Sequence, residues 1–111
     1  MLYNADASKT FIATGDLSAK QYTVVKMDST ANQIVNATAG TDKSIGILMN
    51  KPVAGDVAEV RLRTANGTYP AVAGGSINVG DALTATTGGK VIATTTAGDQ
   101  IIGYALFAAA S

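Results

Sequence analysis

The sequence predicts an all-β fold: a small β-barrel or sandwich of short antiparallel strands, preceded by an extended N-terminal arm. Short runs rich in Val, Ile, Thr and aromatic residues recur along the chain, and turn-forming pairs such as Gly-Asp separate them. All the acidic residues except Glu59 are Asp, which favours turns over helices. The many Ala residues alternate with Thr and Val and are interrupted by Gly, which indicates small inward-facing strand positions.

The first half of the chain predicts the arm and most of the barrel. Residues 1–10 are small and polar without a period, which predicts the extended arm, and residues 11–111 then form a single β-barrel domain. A hairpin is expected over residues 22–37, because a β-branched run and a second apolar run flank a turn-prone Asp-Ser-Thr. The strands of this half are expected at residues 11–13, 22–27, 33–37, 44–49 and 57–63.

The segment 57–63 alternates between an apolar face and a charged face, as a strand with one buried side does. The apolar face carries Ala58, Val60 and Leu62. The charged face carries Glu59, Arg61 and Arg63. Asn66-Gly67 then favours a tight hairpin that returns over residues 69–72, where Pro70 indicates an edge strand. The remaining strands are expected at residues 77–79, 83–85, 90–94 and 101–107.

A short internal duplication relates the two halves of the chain. The matching segments are Gly15-Asp16-Leu17 with Gly80-Asp81-Ala82-Leu83, Ile34-Val35 with Val91-Ile92, and Ile45-Gly46-Ile47-Leu48 with Ile102-Gly103-Tyr104-Ala105-Leu106. The strand at 57–63 follows the first copy, and no such strand follows the second. The edge of the predicted strand 101–107 is therefore expected to lack a partner within the barrel, so that a neighbouring subunit or the arm would cover it.

The composition excludes several classes of function. Basic and acidic residues balance to a formal net charge of +0 and only 14% of residues are charged, so we expect no basic surface for nucleic acid. No apolar stretch is long enough to cross a membrane as a helix. The chain has no His and no Cys, which excludes zinc sites built on those residues and His- or Cys-based catalysis. We therefore expect no catalytic residues, no metal ligands and no cofactor.

Three groups of residues have two interpretations each. The four Gly-Asp pairs are expected to be turn corners, and the alternative is a calcium site of converging carboxylates. Lys26 lies in a Val-Lys-Met sequence that resembles biotin-accepting hairpins, so a carrier domain modified at Lys26 is an alternative to a solvated strand lysine. Glu59, Arg61 and Arg63 form either a solvent-facing strip or a contact strip against another subunit.

Several segments form an ordered set between about residues 11 and 107. The first is Phe11-Ile12-Ala13 with Gly15-Asp16-Leu17-Ser18-Ala19-Lys20-Gln21-Tyr22. The central one is Ile45-Gly46-Ile47-Leu48-Met49-Asn50-Lys51-Pro52-Val53-Ala54-Gly55-Asp56-Val57-Ala58-Glu59-Val60. The last are Ala73-Gly74-Gly75-Ser76-Ile77, Gly80-Asp81-Ala82-Leu83 and Ile102-Gly103-Tyr104-Ala105-Leu106. In this order they resemble the capsid cement (head decoration) proteins of tailed phages, although members of that family commonly continue with another Gly-rich turn and strand.

The resemblance implies a non-enzymatic structural protein of the virion. Such proteins are made in the host cytoplasm and bind the outer capsid surface, where they bridge major capsid protein subunits and stabilise the head against the pressure of packaged DNA. The resemblance also implies self-association, expected as a homotrimer. Capsid or inter-subunit contacts are expected from the arm and the charged strip, at Tyr3, Lys9, Phe11, Glu59, Arg61 and Arg63. A glycan-binding head-surface or fibre module is the alternative class.

Overall fold

The computed structural model describes residues 8–62, 68 and 70–109, and it confirms the predicted all-β fold. Five strands form a closed barrel, and a three-stranded sheet follows, with one short 3-10 turn at Thr87–Gly89. The barrel strands are β1 (Ser8–Ala13), β2 (Val24–Met27), β3 (Gln33–Asn36), β4 (Ser44–Leu48) and β5 (Val57–Leu62). The strands of the second sheet are β6 (Ala82–Ala85), β7 (Val91–Ala93) and β8 (Gly103–Tyr104).

The barrel has the strand order β1-β3-β2-β4-β5 and closes where β5 meets β1. β1 and β5 are antiparallel, with Phe11 opposite Ala58, whereas β1 and β3 are parallel, with Ala13 opposite Ile34. The expectation that all strands are antiparallel is therefore wrong for this one pair. The reason is geometric, because strand directions cannot alternate all the way around a closed ring with an odd number of strands.

The boundary of the predicted arm is also corrected. Ser8, Lys9 and Thr10 belong to β1 and pair with β5, so the barrel begins before residue 11. These polar residues form a strand because their backbone groups can form hydrogen bonds with the backbone of β5. The local pattern of side chains does not predict this pairing. Residues 1–7 of the predicted arm lie outside the described residues.

The first hydrophobic core fills the barrel. Its buried residues are Phe11, Ala13, Leu17, Val25, Ile34, Leu48, Ala58 and Val60. The alternation predicted for β5 is confirmed, since Ala58 and Val60 are buried and Glu59 is exposed. Leu62 is half-buried and packs against the same cluster. Burying each large side chain of this core stabilises the fold by about 1.5–3 kcal/mol.

The second hydrophobic core joins the outer face of the barrel to the small sheet. On the barrel side it contains Val24, Ala37 and Ile47, and on the other side Ile77, Ala85, Val91 and Ala105. The described residues therefore form a closed barrel with a separate three-stranded sheet packed on it. The predicted return strand over residues 69–72 is not formed by its described members, because β5 already pairs with β1 and β4.

The second sheet reproduces the register of part of the barrel. The strand order β7-β6-β8 matches the order β3-β2-β4 in the barrel. In both, the strand that comes first along the chain, β6 or β2, lies between the other two. Leu83 lies opposite Ala93 and Gly103, as Val25 lies opposite Asn36 and Gly46. A parallel bridge between Ala73 and Val91 likewise matches the one between Ala13 and Ile34. We refer to residues 8–62 as the first unit and to residues 70–109 as the second unit.

The same correspondence corrects one pair of the sequence duplication. The Tyr22 N–H donates to the carbonyl of Leu48, and the Gly80 N–H donates to the carbonyl of Ala105, so Gly80 is equivalent to Tyr22 and not to Gly15. Both residues have positive φ, 70° at Tyr22 and 88° at Gly80. Sequence matching failed at this point because the same left-handed backbone is occupied by Gly in one unit and by Tyr in the other.

Candidate interaction site

The second unit contains an apolar groove of about 590 Å³ beside β8. Its lining contains Ala71, Ala73 and every residue from Ile102 to Ala109, together with Ile47 of the barrel. No Lys, Arg, Asp or Glu is among its described lining residues. The groove therefore suits uncharged groups, because it offers no partner to a buried charge.

Three large apolar residues at the rim of the groove are exposed. Tyr104 is 67% exposed, Leu106 is 59% exposed and Phe107 is 83% exposed. These residues are close in sequence and border one groove, so together they form a contiguous apolar surface. Surfaces of this kind are typical of protein interaction sites.

The groove is the second unit's counterpart of the barrel interior. Six core residues of the barrel have equivalents at matching register positions, and all six equivalents line the groove. The pairs are Phe11/Ala71, Ala13/Ala73, Leu17/Ile77, Val25/Leu83, Ile34/Val91 and Leu48/Ala105. The barrel interior is closed by β5, whereas within the described residues no strand closes the groove.

The six residues expected to make capsid or inter-subunit contacts lie in different surroundings in the structure. Phe11 is 7% exposed and belongs to the barrel core, and a contact of this residue with the capsid stays a prediction. Lys9 is exposed, and its Nζ lies 5.1 Å from the centroid of the Phe11 ring. This distance is within the range of a cation–π contact, and a role of Lys9 in binding the capsid stays a prediction. Tyr3 and Arg63 lie outside the described residues.

The charged face of β5 is present over its described length. Glu59 is exposed, and its N–H donates to Oδ1 of Asn50 at 3.0 Å. Arg61 is half-buried and pairs across the sheet with Ile47, which itself lines the groove. The role of this face in binding another subunit stays a prediction.

The Gly-Asp pairs form turn corners. Oδ1 of Asp16 accepts the N–H of Ser18 at 3.0 Å, and this hydrogen bond lowers the pKa of Asp16. Oδ2 of Asp81 accepts the N–H of Asn78 at 2.8 Å, again within its own turn. Positive φ is found at Gly55, Gly80 and Gly98. Across the described part of the chain, no cluster of His, Cys, Asp or Glu has the size and geometry of a metal site.

Lys26 lies within β2 and forms an ion pair with Asp42, with 3.3 Å between Nζ and Oδ2. The pKa of Asp42 is lowered, chiefly by a hydrogen bond from the N–H of Thr38 and further by Lys26. Lys26 thus has a local structural partner, and its position within a strand favours the strand-lysine interpretation over the carrier interpretation.

The residues of the groove were not identified as a site from the sequence. Ala71, Ala73 and Ala105 are ordinary core residues by type, and nothing in their neighbours distinguishes an open groove from a closed interior. One signal pointed there, namely the prediction that the edge of the strand 101–107 needs a partner from outside the barrel. β8 is shorter than the predicted strand 101–107, but it lies at the edge of its sheet.

The fold and the groove together define a small β-barrel that carries a second, open β-unit with an apolar groove. Among solved structures, this chain resembles the N base of the head fibre gp8.5 of bacteriophage phi29, with 22% sequence identity and a TM-score of 0.65. The similarity covers 93% of this chain and 84% of the other, and at this identity it shows a shared fold. Comparisons with protein families and with curated proteins find no match. In the described residues, no helix has the length and apolarity needed to cross a membrane.

Proposed function

We propose that this protein is a non-enzymatic structural component of a phage head that binds the outer surface of the shell. The observation that carries the proposal is the fold shared with a phage head fibre base over 93% of the chain. The ordered sequence segments that resemble cement proteins support the same class. The apolar groove with exposed Tyr104 and Phe107 supplies a surface suited to binding another protein.

The finer role that we propose is cementing, in which each copy, expected as part of a homotrimer, bridges major capsid protein subunits. A protein that binds the assembled shell and not its free subunits stabilises the shell by mass action. Many copies bound to one lattice act together, so a modest affinity per site becomes a large total stabilisation. The mixed charge and the low content of charged residues suit contacts with protein rather than with DNA.

The test uses purified heads of the phage that encodes the protein. Heads lacking the protein are incubated with increasing amounts of it and then sedimented, and the bound protein is quantified. Saturable binding, together with slower DNA release from filled heads on heating, is the expected result. Absence of co-sedimentation with heads would refute a shell-binding role, and analytical ultracentrifugation of the free protein tests the trimer.

A glycan-binding module is the second candidate, because Tyr104 and Phe107 are exposed aromatic residues of the kind that stack on sugars. Binding of the free protein to an array of glycans, lost on substitution of Tyr104 and Phe107 by Ser, would favour this candidate. Binding to heads with no binding to any glycan would reject it.

A further inference from the structure

Two equivalent glycines show that a strand position next to β8 is open. In the barrel, a Cβ at Gly46 of β4 would meet the carbonyl oxygen of Arg61, because β5 runs directly alongside. Gly103 occupies the same register position in β8, and a Cβ there would meet nothing within 4 Å. Within the described residues, the space that β5 fills in the first unit is empty in the second.

The side chains lead to the same conclusion. In the first unit, β5 places Ala58 and Val60 in the barrel core and packs Leu62 against it. In the second unit, the equivalents of the other core residues line the groove, where the outer face of the barrel also packs through Val24 and Ile47. No described strand of the second unit takes the place that β5 has in the barrel. Among the described residues, the groove thus corresponds to a barrel interior with no strand of the same unit in the place of β5.

The sizes of the lining residues specify what fits. In the barrel, the large ring of Phe11 lies opposite the small side chain of Ala58 across the β1–β5 pair. In the second unit, the equivalent of Phe11 is Ala71, whose side chain lacks the ring that lies opposite Ala58 in the barrel. The equivalent of Leu48 is Ala105, again a smaller side chain. An incoming strand therefore needs a bulky side chain where β5 has Ala58.

We infer that the groove is an open strand position that takes an extended segment of the shell protein, added antiparallel to the outer edge of β8. This partner rests on the proposed function. The segment has uncharged side chains at alternate positions, since no charged residue lines the groove, and an aromatic or other large side chain at the position equivalent to Ala58.

The backbone geometry of the added strand follows from the barrel. In the first unit, the N–H of Met49 donates to the carbonyl of Glu59 in β5 at 2.8 Å. The residue equivalent to Met49 is Leu106, so the N–H of Leu106 is expected to donate to the added strand. Main-chain hydrogen bonds of this kind supply affinity, and the apolar pockets for alternate side chains supply specificity.

The first experiment uses peptides that copy β5, the strand that fills the equivalent position. The probes are a peptide of residues 55–62 and the same peptide with Ala58→Phe, titrated into isotope-labelled protein and followed by nuclear magnetic resonance. The Ala58→Phe peptide is expected to bind about tenfold more tightly than the unmodified one and to slow amide exchange at Tyr104 and Leu106. A third peptide with Val60→Asp carries a charge on its inward face and is the negative control.

Two variants of the protein make the test specific. Gly103→Ala puts a methyl group where the carbonyl of the added strand would lie, and it is expected to weaken peptide binding about tenfold or more without loss of folding. Gly15→Ala is the matched control, because its Cβ also meets nothing within 4 Å and Gly15 does not line the groove. Ala71→Phe restores the ring found in the barrel and is expected to reverse the preference, so that the unmodified peptide binds more tightly.

The outcomes separate this inference from the proposed function. Head binding by the wild type and Gly15→Ala, lost in Gly103→Ala, supports both. Equal head binding by Gly103→Ala overturns the groove as the shell contact and leaves shell binding intact. Peptide binding without head binding refutes the shell function and the shell segment as occupant.

Amides of Tyr104 and Leu106 that exchange slowly in the peptide-free protein overturn the inference in either of two ways. If this protection from exchange is lost when the protein is diluted, a second copy of the chain occupies the groove. If it persists in the monomer but is lost when residues 1–7 are deleted, the N-terminal segment of the same chain occupies the groove.

Discussion

Thr84 provides a direct test of how the two units are held together. Its hydroxyl is buried, with the residue 1% exposed, and lies 2.9 Å from the carbonyl oxygen of Gln100 and 3.2 Å from that of Gly40. The N–H of Gln100 also donates to the carbonyl of Gly40 at 2.7 Å. Thr84 in β6 thus links its own sheet to the loop that precedes β4 of the barrel.

Thr84→Val keeps the shape of the side chain and removes the hydroxyl. The substitution leaves buried carbonyl oxygens with fewer donors, which costs about 1–3 kcal/mol in the free energy of unfolding. For a chain of this size we expect a fall in Tm of roughly 4–12 °C. Urea unfolding followed by circular dichroism measures the change, and Thr10→Val on the exposed face of β1 is the control. A loss below about 0.5 kcal/mol, the range of ordinary surface substitutions, would show that the hydroxyl does not link the units.

Three further predictions concern the barrel. Phe11→Ala should destabilise the protein by about 3–5 kcal/mol, because the ring is in the core; a change near zero in urea unfolding would contradict that placement. Gly46→Ala should cost about 1–3 kcal/mol or more by forcing β4 away from Arg61, whereas Gly103→Ala should cost much less, and equal losses would contradict the difference in space. The pKa of Asp42 is lowered in the folded state, so its carboxylate stabilises the fold at pH values above the ordinary pKa of 3.8. This contribution is lost as the pH falls through the folded-state pKa. Asp42→Asn should therefore reduce the acid-dependent part of the unfolding free energy, and an unchanged pH profile between pH 6 and about pH 2 would contradict this role.

The strands could be predicted from the sequence where one face is buried and the other is exposed. In β5, alternation between Ala58, Glu59 and Val60 reports burial directly, so both the strand and its orientation follow from the residue types. The run in β4 was located for a similar reason, since its continuous apolar residues serve both hydrophobic cores. The local pattern of apolar and polar residues therefore predicts a strand where the types of its own residues determine which side chains are buried.

Pairing between distant strands could not be predicted in the same way. Nothing in Ser8, Lys9 or Thr10 distinguishes a barrel strand from an exposed arm, because their position depends on the backbone edge of β5. The parallel pairing of β1 with β3 follows from ring closure, which is a property of the whole barrel. The open groove escaped prediction for the same reason, since it depends on which of the described strands lie beside β8.

Closure of the barrel through its first and last strands has a consequence for synthesis of the protein. Ser8 pairs with Arg61, so the two ends of the barrel segment meet, and β1 stays without its antiparallel neighbour until β5 has left the ribosome. Contacts this far apart in sequence slow folding, because a long loop must close before they form. In a nascent chain that stops before Val57, one edge of β1 and one edge of β4 would have unpaired backbone N–H and C=O groups. A pause of translation in that interval would therefore favour aggregation of the nascent chain.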